Sequence, residues 1–172
     1  MMHGTKIAEL NRLPPERFVA LLGHVFEHSP WIVEEVADQR PFPDADALHA
    51  AMMQVLLVLP REEQIAFLRL HPRLSPHFVR DRAMAPASVA EQKSAGLDEI
   101  DAATAECLAG LNEIYERKFG FPFIIAARRN TIRTILAALE RRITQDVDRE
   151  ITEALSQISI ITRIRLDAVL LS

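Results

Sequence analysis

Four short stretches carry side chains able to do chemistry. Leu70-His71-Pro72-Arg73-Leu74 places an imidazole directly before a proline. The residue before a proline is pushed out of the helical region toward extended geometry, so His71 sits on a rigid corner at a helix end. Histidine is the side chain whose ordinary titration lies nearest neutrality, which suits proton transfer, although such a corner is also a plain structural turn. Ser88-Val89-Ala90-Glu91-Gln92 has S-x-x-E spacing. That is the spacing of a capping box, in which serine and glutamate close a helix start reciprocally. The same helix start offers a hydroxyl, a carboxylate, an amide and backbone N–H groups to an anionic ligand, and the two readings compete for Glu91. His24-Val25-Phe26-Glu27-His28 fits the H-x-x-E-H inverted zinc-protease pattern, with the histidines one helical turn apart. His28-Ser29-Pro30 also reads as a helix stop, where a histidine suits the dipole. Arg163-Ile164-Arg165 lies on an apolar helical pattern, where most arginines are solvated or snorkelling. Arg128-Arg129 and Arg141-Arg142 read as ordinary solvated faces.

These residues need elements to position them. The chain has 172 residues, 49% hydrophobic and 26% charged, enough for a single folded domain spanning 1–172. A net charge of −4 leaves no basic excess to neutralise phosphates, so nucleic acid is not an expected partner. The single Cys107 excludes an intramolecular disulfide and any multi-cysteine metal site, and fits a reducing, cytoplasmic setting. The longest apolar run, Val55 to Leu59, is far below the ~18 residues of a membrane span. The first ten positions lack the apolar core of a signal peptide, and the closing Leu170-Leu171-Ser172 is not an import address. No P-loop, dinucleotide fingerprint or G-x-S-x-G elbow occurs.

Helical periodicity runs through the chain, and glycine is scarce. Pro14-Pro15 opens a segment with Phe18, Leu21, Leu22, Val25 and Phe26 on one face. Trp31, Val33 and Val36 mark a short second helix. Asp44 caps a third through Leu59, and Pro60 opens a fourth that leads to His71. Ser88 begins another short helix. Ala102 to Phe119 is a long one ended by Gly120. Asn130 caps Thr131 to Ile143, and Val147 to Leu171 closes the chain. Residues 72–87, with three prolines, read as a long loop with room for a short helix. The exception to the helical pattern is Phe121-Pro122-Phe123-Ile124-Ile125. Pro122 bars a helical start, and a buried non-helical run must find partners for its backbone groups, a ligand among them. The pattern predicts an all-α, single-domain bundle of about eight helices with one short apolar extended segment at 121–125.

Several stretches occur together in order: "VFEHSPW" at 25–31, "HPRL" at 71–74, "SVAEQKSAGL" at 88–97, "LNEIYERKFGFPFI" at 111–124 and "RIRL" at 163–166. Together they resemble the OHCU decarboxylase family, enzymes that decarboxylate 2-oxo-4-hydroxy-4-carboxy-5-ureidoimidazoline in urate degradation. The resemblance covers nearly the whole chain. It implies an all-helical enzyme without a cofactor or metal, a homodimer, whose small-molecule substrate OHCU becomes (S)-allantoin. It makes His71 the catalytic acid/base, with Glu91 orienting either His71 or the substrate. Pro72, the Ser88, Val89, Ala90, Glu91 and Gln92 segment, the Phe123, Ile124, Ile125, Ala126 and Ala127 segment, and Arg165 would line the substrate site. Backbone N–H groups of Phe121–Ile125 would bond the substrate ring, and the Phe123–Ala127 backbone would hold it flat. Two positions depart from the family pattern: Arg73 where an acidic residue is common, and Ser94-Ala95-Gly96 where G-A-G is common. The competing readings are a non-catalytic helical interaction module, in which these residues are caps and corners, and zinc hydrolysis through His24 and His28.

Overall fold

Short polar side chains and prolines start most of the helices. In a computed structural model that describes residues 2–77 and 84–172, nine α-helices and two short 3-10 turns make up the regular structure, with no strand among the described residues. The chain gathers into two compact units, 1–60 with 159–172, and 61–158.

The first unit holds α1 (Met2–Arg12), α2 (Pro15–Leu22), α3 (Trp31–Ala37), α4 (Ala45–Leu57) and the last part of α9 (Val147–Leu171). α1 goes beyond the sequence expectation, which placed no element before Pro14. It buries Ile7 and Leu10, and α1, α2 and α3 pack through the contacts α1 to α4, α2 to α3 and α3 to α4. Phe18, Leu22, Val25, Phe26, Ile32, Val33, Leu48 and Met52 are buried, each contributing about 1.5–3 kcal/mol relative to exposure. Asp44 caps α4 as expected, its Oδ1 accepting from Ala47 N–H at 2.7 Å. Arg40 closes the turn after α3 by donating to the carbonyls of Ala37 and Leu13, both at 2.6 Å.

α2 is shorter than its apolar pattern. It stops at Leu22, and residues 23–30 turn without forming a helix. Gly23 leaves room for Pro30 at this turn: a Cβ there would lie 2.8 Å from the Val19 carbonyl and 3.2 Å from Pro30 Cβ. Val25, Phe26 and Glu27 are buried in succession, which one helix face cannot do. His28 therefore ends no helix, and its φ is 47°.

The second unit holds α5 (Arg61–Leu68), α6 (Pro86–Ser94), the 3-10 turn Leu97–Glu99, α7 (Ala102–Phe119), the 3-10 turn Ala127–Arg129, α8 (Ile132–Ile143) and the first part of α9. α7 packs on α8, and α6 packs on both 3-10 turns. Asp101 caps α7, accepting from Thr104 N–H at 2.7 Å, and Gly120 ends it with φ 78°. At α8 the cap is Thr131, one residue later than expected, in a reciprocal box with Thr134. Asn130 instead donates to the Ala126 carbonyl at 2.9 Å. Of the 72–87 loop, residues 78–83 lie outside the described residues, 72–77 are non-helical, and Pro86 already belongs to α6.

His49, buried on α4, has Nε2 2.9 Å from Thr162 Oγ1. Burial first, then the Arg163 guanidinium, lowers its pKa from the ordinary 6.5, against the opposing pull of Asp167 and Asp46. A histidine kept neutral in the fold but free to charge when unfolded gives stability that is present above pH 6.5 and lost as pH falls toward the lowered folded pKa. Urea unfolding at about pH 7.5 and about pH 5 measures this. His49→Gln is expected to lose less stability across that interval than the wild type; an equal loss contradicts the assignment.

Candidate functional site

His71 is reached through the last turn of α5. Its N–H donates to the Leu68 carbonyl at 3.2 Å, and Pro72 then bars any further helix. The side chain is buried, with the Phe67 ring meeting it edge-on at 5.2 Å. The corner is fastened on both sides. Before it, Arg69 Nε donates to the Gly120 carbonyl at 2.8 Å, at the head of the Phe121–Ile125 run. After it, Arg73 makes a two-pronged pair with Glu116 on α7, at 2.7 and 2.5 Å. This pairing raises the Arg73 pKa further and turns the charge that departs from the family pattern toward α7. Asn112, buried on α7, donates to the Leu74 carbonyl at 2.8 Å.

α6 begins at Pro86 with Ala85 as its N-cap and no side-chain cap bond. Ser88 is thus the third residue of the helix, and the capping-box reading of Ser88-x-x-Glu91 fails because the proline already starts the first turn. Ser88, Glu91 and Gln92, at i, i+3 and i+4, form one buried face, while Val89 is half-buried and Ala90 exposed. A helix that buries three polar side chains on one face must give them partners. For Gln92 these are explicit: Oε1 accepts from Ser75 N–H and Nε2 donates to the Arg73 carbonyl, both at 3.1 Å. The Gln92 amide thereby ties α6 to the backbone just after His71-Pro72. Gly96, at φ 76°, ends the helix where only a left-handed residue fits.

The Phe121–Ile125 run is non-helical and apolar, as expected, and Phe121 and residues 123–127 are buried. Side chains grip its backbone. Arg142 Nη1 donates to the Ile124 carbonyl at 2.7 Å, and Gln157 Oε1 accepts from Ala126 N–H at 3.0 Å. Among the described residues, the N–H groups of Ile124, Ile125 and Ala127 meet no protein acceptor. Because α6 packs on the turn that starts at Ala127, this run, the polar face of α6 and the His71 corner all belong to one connected unit.

Arg142 was missed in the sequence, where Arg141-Arg142 read as a solvated face. Arg141 is exposed, but Arg142 is 1% exposed and paired with Glu150, itself 0% exposed. The signal available was the position of Arg142 three residues after the buried Leu139, on the apolar stripe of α8. Tyr115, also fully buried, donates to Glu150, and burial, then the Glu150 bond, pushes its phenol pKa up, so it stays a donor.

Arg165 lies in the first unit. It is buried, donating to Glu27 Oε2 at 3.1 Å and to the Val25 carbonyl at 3.4 Å. Arg163 is instead partly exposed and pairs with Asp46 and Asp167. Glu27 is therefore bound to Arg165, and His24 and His28 are exposed on a non-helical turn rather than one helical turn apart. Among the described residues, no group of three or more His, Cys, Asp or Glu side chains is placed to hold a metal ion. The zinc-protease geometry is not formed, because residues 23–30 are not helical. No described helix is long and apolar enough to cross a membrane.

A sequence profile of OHCU decarboxylase matches residues 11–167. The chain belongs to the OHCU decarboxylase family. The 2-oxo-4-hydroxy-4-carboxy-5-ureidoimidazoline decarboxylase of Haloferax volcanii is 38% identical to it over 165 residues, 96% of this chain and 96% of its own. The protein of the same name from Halalkalicoccus jeotgali is 36% identical, over 94% of this chain and 89% of its own. Among solved structures, the crystal structure of (S)-allantoin synthase superposes with a TM-score of 0.76 at 26% identity, over 95% of this chain and 53% of that one, so this chain spans about half its length. Every motif that carried the family resemblance falls inside the matched residues 11–167.

The Gln92 clip yields a test. Gln92→Glu keeps the acceptor for Ser75 N–H but sets a carboxylate against the Arg73 carbonyl and leaves that carbonyl without its donor. The folded state is expected to lose about 1–3 kcal/mol in urea unfolding at neutral pH. A variant as stable as the wild type would show that the amide does not hold the loop.

Proposed function

We propose that this protein decarboxylates OHCU to (S)-allantoin, as an enzyme of urate degradation. The observation that carries the reading is a buried imidazole at a braced pre-proline corner, tied through Gln92 to a helix face of buried polar residues. In the substrate, the carbon that bears the carboxylate also bears a hydroxyl and adjoins a C=N bond. When the C–CO₂ bond breaks, its electron pair moves into the ring carbon–carbon bond, and the C=N pair moves onto nitrogen, which takes a proton. The substrate supplies its own electron sink. The hydroxyl then gives up its proton as C5 gains one, leaving the carbonyl of allantoin.

The protein has to hold the ring, help at the hydroxyl and bring the C5 proton to one face. His71 is read as the acid/base for these transfers. Glu91, buried on the same face of α6 as Ser88, is read as the group that orients His71 or the substrate. Ser88, Gln92, Pro72 and the 88–92 segment shape this side of the site. The backbone of Phe123, Ile124, Ile125, Ala126 and Ala127 is read as the platform for the ring, its N–H groups meeting ring and ureido oxygens. Arg165 remains a proposed substrate contact on its match to the R-x-R-L motif alone. We read 1–172 as one functional domain, because the family profile runs through both units, and the protein as a cytoplasmic homodimer by its family resemblance.

Freshly prepared OHCU, followed by ultraviolet absorbance and circular dichroism, tests the reading. Uncatalysed decay has no reason to protonate C5 from one side and should end in racemic allantoin. The wild type is expected to speed the decay and give the (S) signal, and His71→Ala to fall to the racemic background while keeping its fold. Near-normal decay with (S) product in His71→Ala would remove the acid/base assignment. No acceleration by the wild type would remove the function.

A further inference from the structure

We propose that Arg142, with Glu150, is a positioning residue that sets the shape of the 123–127 backbone from behind. The inference rests on the proposed role of that backbone as the platform for the substrate ring.

An arginine and a glutamate almost fully removed from water are an expensive way to stabilise a fold. A buried ion pair often contributes no more than well-packed apolar residues of the same volume, so its presence calls for a task that apolar residues cannot do. The geometry shows that task. The Arg142 fork uses Nε and Nη2 on a single oxygen, Glu150 Oε1, at 2.8 and 2.5 Å. Its remaining arm, Nη1, reaches the Ile124 carbonyl at 2.7 Å. The guanidinium plane also covers the Phe123 ring, 4.4 Å from its centroid. One side chain thus holds two successive residues of the run, one by its ring and one by its peptide group. No regular element is available to hold them, since neither residue is in a helix or strand.

Glu150 is itself fixed. Tyr115 donates to its Oε1, and Gln145 Nε2 donates to Oε2 at 2.8 Å. Tyr115 also packs among Phe119, Phe121 and Phe123, with centroids 4.6, 5.9 and 5.4 Å away, tilted to the first and edge-on to the other two. The carboxylate is therefore a rigid anchor, and Arg142 transmits its position to Ile124. Holding the Ile124 carbonyl on the buried side fixes the peptide plane that carries the Ile125 N–H, the donor offered to the ring.

The double variant Arg142→Met with Glu150→Gln removes both charges, so none is left buried alone, and keeps an acceptor for Tyr115. Two readouts are taken. Hydrogen exchange is expected to quicken at the amides of 124–127 while α7 and α8 keep wild-type protection. With OHCU, kcat/KM is expected to fall by about tenfold to a hundredfold, chiefly through KM, with part of the (S) excess lost. Tyr115→Phe, which leaves the Arg142 grip on Ile124 in place, is expected to exchange at 124–127 nearly as the wild type does. If the double variant does not fold, Arg142→Lys is measured in its place with the same expectations, since an ammonium cannot span Glu150 and Ile124 together. Unchanged exchange at 124–127 in the folded Arg142 variant overturns the proposal. So does equal loosening in Tyr115→Phe, which would reduce Arg142 to general packing. If the wild type itself fails on OHCU, the function is wrong, and the exchange measurement alone decides this inference.

Discussion

A buried peptide group must have a partner, and the second unit buries non-helical backbone, at Leu74 and in 121–127, that no helix can satisfy. Leu74 lies two residues past Pro72, and 121–127 begin with Phe121-Pro122. Much of what distinguishes the second unit from a plain bundle answers this constraint. Arg69, Asn112 and Gln92 meet the peptide groups of Gly120, Leu74, Arg73 and Ser75, and Arg142, Gln157 and Asn130 meet those of Ile124 and Ala126. Side chains here do the work that ladder bonds do in a sheet. They hold irregular backbone in one shape, and irregular backbone is what can aim an imidazole and a row of N–H groups at a small polar ring.

The cost falls on the interior. Ser88, Glu91, Gln92, Asn112, Arg142 and Glu150 are buried polar side chains of the second unit, in places where a stable bundle would use leucine. Each is costly unless satisfied, so the network tolerates few partial changes. Among the described residues, the first unit buries Glu27 with Arg165, His49 with Thr162, and Ser29, around an apolar core of Phe18, Phe26, Ile32 and Met52.

What was legible in the sequence follows from which signals are local. Gly120 and the apolar spacing before it define α7 without help from the rest of the chain, and the bounds of α9 and the Pro122 break are equally local. His71-Pro72 was legible because proline acts on its neighbour. The start of α6 misled in the opposite way: Ser88-x-x-Glu91 mimics a cap, while Pro86, two residues earlier, had already started the helix. The end of α2 was hidden because Val25 and Phe26 continue the apolar spacing, while the close approach of Pro30 to Gly23 that goes with the turn is not local to that spacing. Arg142 and Glu27 do not read as buried groups from their residue type, although Arg142 lies on the apolar stripe of α8. A charge reads as solvated until its partner is known, and Glu150 and Arg165 lie 8 and 138 positions away in the chain. The sequence carried the chemistry of the candidate site through family motifs, but the supports behind it are set by long-range pairing.

The most direct measurement is a crystal structure of this protein soaked with (S)-allantoin. The ring is expected to lie against the backbone of 124–127, within hydrogen-bond distance of an N–H in that run, with the His71 imidazole facing C5. A ligand bound elsewhere, or bound here with His71 turned away from C5, would contradict this placement.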